Sequence, residues 1–223
     1  MVTLNEDKIR EEILNLCRNS DIFTTTVRGV TTKTDTFTAS AGQTSFTLTQ
    51  SGVKNIRSLK INSVTKTLYT DYDINIVGKT STESKTVTLT TGATLNDEVV
   101  IQYDYSSSGD KIYPDFPDDN LTISSFPRMY FDILSTTNTN RSANDTLQQK
   151  NLLFEFGVIS FNEYINSYEK QFYDLIFNNR KSMYWLNLLR PSGRSAKEPY
   201  KKVSGNLLFS KVFTYTAPSE FEK

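Results

Sequence analysis

The feature that most constrains this chain is a stretch where hydrophobicity alternates with period two. From 34 to 105, apolar residues recur at every second position in short runs separated by turn residues. In "TSFTLTQ", Phe46 and Leu48 share one face and the threonines the other. Val99, Ile101 and Tyr103 alternate in the same way in "DEVVIQYDY". Successive side chains of a strand point to opposite faces, so the pattern describes half-buried strands. The runs "TDTFTAS", "QTSFTLTQ", "IRSLKINS", "KTLYT", "YDINIVG", "KTVTLTT" and "DEVVIQYDY" read as six or seven short strands, with Gly42, Gly52, Gly78 and Gly92 at the turns. Such spacing predicts a small antiparallel sandwich or barrel.

On either side the period changes. In "TLNEDKIREEILNLCRN", 3–19, Ile9, Ile13, Leu16 and Cys17 form one stripe of an amphipathic helix, and Thr3 with Glu6 fits a capping box. Cys17 on that stripe reads as a buried, inert thiol. In "EYINSYEKQFYDLIFNNR", 163–180, a second helix has the stripe Ile165, Tyr168, Phe172, Leu175, Ile176 and Asn179. Strands are expected at 128–136, at 151–161 and at 206–216, the second covered on both faces because it has little polar alternation. Residues 137–150 read as a long polar loop and 191–206 as a basic loop, while "SMYWLNLLR" at 182–190 fits strand or helix.

The expected fold is α+β: a small, mostly antiparallel sheet with two helices on one face, formed by 1–30 and 109–223. Residues 31–108 form an inserted all-β, sandwich-like domain, with "SSSG" at 106–109 as its exit linker.

Composition narrows the chemistry. The 223 residues contain no histidine and one cysteine, which removes Ser-His-Asp and Cys-His nucleophile systems, histidine metal sites and any internal disulfide. Lys plus Arg equals Asp plus Glu, 25 each, so no overall field points to nucleic acid or a membrane. The first residues are acidic without an apolar core, unlike a signal peptide, and no apolar run approaches a membrane span. Asp71, Asp73, Asp97 and Glu98 lack the regular spacing of a calcium loop, and Asp118 with Asp119 sits in a turn. The expectation is a non-enzymatic protein without a cofactor or metal.

The stretch "GDKIYPDFPDDNLTISSFPRMYFDIL", 109–134, approaches its strand through three prolines, at 114, 117 and 127. Proline fixes φ and has no N–H to donate, so the approach is stiff and extended. Charge is uneven along the chain. Four aspartates lie between 110 and 119 against Lys111, and seven bases lie between 180 and 202 against Glu198. Charge runs of this kind are usually solvated faces, and in an assembly they can register neighbours.

The elements outside 31–108 resemble the tail terminator (tail completion) proteins of long-tailed phages and tailed viruses. The segments that carry the resemblance are "DKIREEILNLC", "KIYPDFP", "SFPRMYFDIL", "LLFEFGVISF", "INSYEKQFYDLIFNN" and "LLFSKVFTYT", in that order. The inserted segment looks like β-modules of phage fibre and decoration proteins. The resemblance implies a hexameric ring in the virion neck, assembled in the host cytoplasm, that ends the tail tube. Its implied partners are further copies of itself, the tail tube protein and a head-side connector or stopper. Genomic DNA would pass through the channel without specific binding, and no membrane is involved. The resemblance makes two segments candidates for the subunit contact. One is the stiff arm with Ile112, Tyr113, Phe116, Asp118, Asp119, Phe126 and Arg128. The other is the basic segment with Arg190, Arg194, Lys197, Lys201 and Lys202. Two rival readings stay open: a receptor- or glycan-binding virion module with the insert as its working end, and a head-closure connector.

Overall fold

The computed structural model describes residues 6–74, 86–106, 110–113, 126–140, 147–161, 163–179, 183 and 190–222. For 6, 7, 135–140, 147–151, 190, 191, 194 and 217–222 it describes the backbone only. The chain divides into two compact units, Met1–Ile22 with Lys111–Lys223 and, between them, Phe23–Asp110. The fold class is α+β with mostly antiparallel sheets.

The Phe23–Asp110 unit starts eight residues before the expected boundary at 31, because a single helical turn belongs to it. Thr24 caps α2 (Thr25–Arg28) by accepting the Val27 N–H, and Gly29 ends it at φ 72, in the left-handed region that glycine tolerates. This turn delivers Arg28, which is fully buried. Two sheets follow. β1 (Thr31–Thr38), β7 (Glu98–Tyr105), β3 (Val53–Ile61) and β4 (Val64–Thr65) form one in that spatial order. The smaller sheet runs β2 (Gln43–Thr47), β6 (Thr86–Ala93), β5 (Tyr72–Ile74). All pairings are antiparallel.

The alternation dictates the core. Phe46, Leu48, Tyr72, Ile74, Val87 and Leu89 meet Val53, Ile56, Leu59, Val99, Ile101 and Tyr103 in one cluster. The threonines between them are exposed. Gly42 and Gly52 turn the chain at φ 74 and 70. Gly92 does not mark a turn: it lies inside β6, where a Cβ would stand 2.8 Å from the Gly42 carbonyl oxygen. Gly78 and the 107–109 part of the linker fall outside the described residues.

In the other unit, α1 (Glu6–Asn19) buries Ile9, Ile13 and Cys17 as the stripe requires. Leu14, rather than Leu16, completes the buried face. Thr3 of the capping box lies outside the described residues. The sheet runs β11 (Arg190–Arg194), β13 (Asn206–Glu222), β10 (Leu147–Phe161), β9 (Arg128–Asn140), β8 (Ile112–Tyr113), with β12 (Glu198–Val203) also on β13. β8 is parallel to β9 and the remaining pairs are antiparallel. α3 (Ile165–Asn179) lies on the face of Phe131, Phe154, Phe156, Phe213 and Tyr215. Its Phe172 ring stands 4.6 Å from Phe156 and 5.9 Å from Tyr215. α1 reaches the same face at the β8 end, where Arg18 Nη2 donates to the Ile112 carbonyl at 3.0 Å. The central β10 is buried on both faces from Phe156 to Ser160.

Two expected loops are largely strand. The polar segment 137–150 contributes its first four residues to β9 and its last four to β10. The final strand continues six residues past 216 and pairs with the start of β10. Threonine and asparagine read as turn formers, but threonine is β-branched and joins a ladder once a partner strand is in place. The basic segment 191–206 forms β11 and β12, two short bulged strands on the outer edge of β13. Pro191 and Pro199 stand at the two bulges, where edge strands admit proline.

Candidate interaction site

The arm expected to reach a neighbour is tied at both ends to its own sheet. Ile112 is 1 % exposed, pairs with Met129, and has Arg18 on its carbonyl. The Met129 N–H donates to the Lys111 carbonyl at 2.8 Å. The Arg128 guanidinium lies 3.4 Å from the centre of the Tyr113 ring, a cation–π stack with Arg128 largely buried. Burial, helped by the Arg128 charge, pulls the Lys111 ammonium below its usual pKa. Phe126 is 6 % exposed and packs with Tyr130, Ile159, Val203 and Leu208 in a small core. Ile112 and Phe126 are therefore core residues of this chain and not surface anchors. Phe116, Asp118 and Asp119 lie outside the described residues.

The basic candidates spread over two edge strands. Arg190 and Arg194 close the two ends of β11, opposite Thr216 and Phe213, with only their backbones described. Lys197 Nζ stands 5.0 Å from the Phe209 ring centre. Lys201 and Lys202 pair with Leu208 and Leu207, and Lys202 is exposed. Sheet pairing spreads these positions along two edge strands.

A cleft that the residue pattern did not announce lies between α3 and β11–β13. It encloses about 660 Å³ and is lined by Asn166, Glu169, Lys170, Tyr173, Gly193 and Tyr215, among others. Glu169 pairs with Lys211 beside it. Tyr173 stacks on Phe177 one turn further along α3, at 6.1 Å between ring centres. Both rings are nearly half exposed. Burial, then the nearby Tyr173, Cys17 and Glu169, pushes the Tyr215 phenol well above its usual pKa. The two exposed rings occupy i and i+4 of a helix whose inner stripe was legible, so a second aromatic pair off that stripe was the available signal.

In the β unit, the charged groups serve the fold. Arg28 donates to Asp104 at 3.1 Å, Asn55 at 2.9 Å and Asp110 at 2.8 Å. Arg57 and Thr32 complete Asp104. Burial alone would raise Asp35, but the Thr49 N–H, the Thr49 and Tyr103 hydroxyls and Lys33 together hold it below the usual carboxylate value. The acids weighed for calcium cap turns instead: Asp71 accepts the Thr67 N–H at 2.7 Å, and Asp97 accepts Thr94 N–H at 2.8 Å and Asn62 Nδ2 at 2.6 Å. Asp73 bonds the next N–H, that of Ile74. Among the described residues no three Cys, Asp or Glu side chains gather as a metal site would need, and no helix is long and apolar enough to cross a membrane.

The arrangement offers an aromatic cleft, a lysine-bearing edge and a β unit with its own hydrophobic core. Neither a protein-family model nor a curated protein matches the chain.

Proposed function

We propose that this chain is a non-enzymatic structural subunit of a virion neck, six copies of which close into a ring that ends the tail tube and meets the head-side connector. The observation that supports this reading most is the make-up of the Met1–Ile22 and Lys111–Lys223 unit. Helix, short approach strand, two long strands, helix and last strand assemble into one sheet with its helices on one face, although the β unit interrupts them in the chain. That order of elements is what the resemblance to tail terminators rests on. A closed ring needs two different patches per subunit. The exposed ring pair Tyr173 and Phe177, of which Tyr173 lines the cleft, and the lysine edge at Lys197, Lys201 and Lys202 are the two such patches favoured here, in place of the Ile112 and Phe126 arm.

Class-averaged electron micrographs of the purified protein, alone and mixed with tail tubes, test this reading. Six-fold rings seated on tube ends are expected. A protein that neither forms rings nor binds tube ends overturns it.

A further inference from the structure

The sheet of the helix-bearing unit continues past the region its helices address as a three-stranded ribbon. β9 over Ser135–Asn140 and β13 over Ala217–Glu222 flank the first part of β10. Both outer edges of the ribbon lack a strand among the described residues. β8 meets β9 only at Met129 and Tyr130, and β11 meets β13 only between Phe213 and Thr216. An open edge presents unpaired N–H and C=O groups to any extended chain, and proteins normally blunt such edges with proline, charge or a bulge.

The two edges differ in this respect. The β13 edge reads "APSEFE": Pro218 has no N–H to donate, and Glu220 and Glu222 add charge. The β9 edge reads "STTNTN", without proline or charge. Closer to the body, β9 is protected as well. A bulge falls between its residues 133 and 135, and the Ile133 N–H is taken by the Asp132 carboxylate at 2.8 Å. Next to that bulge Leu134 is 48 % exposed. The receptive stretch is thus the six residues Ser135–Asn140, roughly 20 Å of strand.

We infer that this stretch is a self-pairing edge, at which β9 of one copy adds antiparallel to β9 of a second copy. The asymmetry selects this partner. Head-to-tail strand addition needs two receptive edges, whereas a twofold pair uses the same edge twice. A strand without charge meets its own copy without like-charge repulsion. The sheet then runs from one subunit into the next, and the Leu134 side chains flank the seam. The pairing is independent of the ring contacts proposed above and doubles whatever assembly those produce.

Sedimentation velocity over a range of concentrations tests the inference on the full chain, comparing the native protein with Thr139→Lys and Thr137→Pro. Circular dichroism confirms that each variant folds, and the lysine variant keeps the test valid if the proline one does not. The expected result is that Thr139→Lys halves the mass of the native particle at high concentration. Equal masses for native protein and Thr139→Lys overturn the inference, whether both are monomers or both are rings. A six-copy ring that survives both substitutions leaves the ring reading standing without edge pairing. A dimer lost on Thr139→Lys, with no ring under any condition, does the reverse.

Discussion

Arg28 Nη2 donates to Asp110 Oδ2 at 2.8 Å with both side chains buried, so the last residue of α2 is bonded to the last residue of the β unit. The same guanidinium holds Asp104 of β7 and Asn55 of β3. One side chain therefore ties the first turn of the unit, two of its strands and its final residue.

Removing Arg28 leaves two buried carboxylates with fewer partners. Breaking a buried ion pair from one side costs about 3–5 kcal/mol, and Arg57 still serves Asp104. Arg28→Met is expected to destabilise the β unit by about 3 kcal/mol or more on that scale. Urea titrations of fragments 23–110 and 31–108 check the same point. The longer fragment, which includes Arg28 and Asp110, should unfold cooperatively at a clearly higher midpoint, and equal midpoints would refute the role of the pair.

Gly157 lies under the Tyr130 ring, and a Cβ there would stand 2.1 Å from two ring atoms. Tyr130 is 2 % exposed and its hydroxyl bonds Glu155 at 3.2 Å, so the ring has no free direction to move. Gly157→Ala is expected to cost about 1–3 kcal/mol or more from overpacking. The double variant Gly157→Ala, Tyr130→Leu should recover part of the loss, which thermal melts of the set will show.

Phe126→Ala removes a side chain from the small core with Tyr130, Ile159 and Leu208. A buried Phe→Ala change costs about 3–5 kcal/mol. The expected effect is a lower melting temperature of the isolated subunit. Tyr173→Ala, at an exposed ring, should leave the melting temperature almost unchanged and weaken ring formation. Melting curves and particle masses of the two variants separate core from contact.

Alkaline stability should depend on Tyr72, whose phenol burial, with a contribution from Asp71, pushes up to about 12 from 10.0. In the unfolded chain the proton leaves near pH 10. In the folded chain it stays until about pH 12. Stability is thus full below pH 10 and falls through that window, by about 2–3 kcal/mol from this group. Tyr72→Phe should flatten the fall between pH 10 and 12 in denaturant titrations. An unchanged slope would show that Tyr72 ionises as freely when folded.

The alternating segments and the two helical stripes were legible because each depends on local periodicity. Phe46 with Leu48, Val99 with Ile101 and Tyr103, and Ile9 with Ile13 and Cys17 are buried where the pattern puts them. The candidate site was less legible. Ile112 and Phe126 read as contact anchors because the resemblance implies a ring and their segment is stiffened by prolines. What decides their burial is β9, reached through a parallel pairing that no local pattern encodes. The cleft beside Tyr173 depends on where β11 attaches to β13, and β11 itself read as loop.

What the sequence determined by itself is the set of elements and their faces, since period, caps and turn residues act over a few neighbouring positions. It also determined which chemistries are open to a chain without histidine and with one cysteine. Tertiary structure alone decided that Arg28 belongs to the β unit, since its partners are 27, 76 and 82 residues away. It likewise decided that a polar stretch at 137–140 becomes strand and that, among the described residues, no strand pairs with its outer edge. Those outcomes follow from which segments meet in space, and a buried charge or a free backbone group has its energy set by the groups around it.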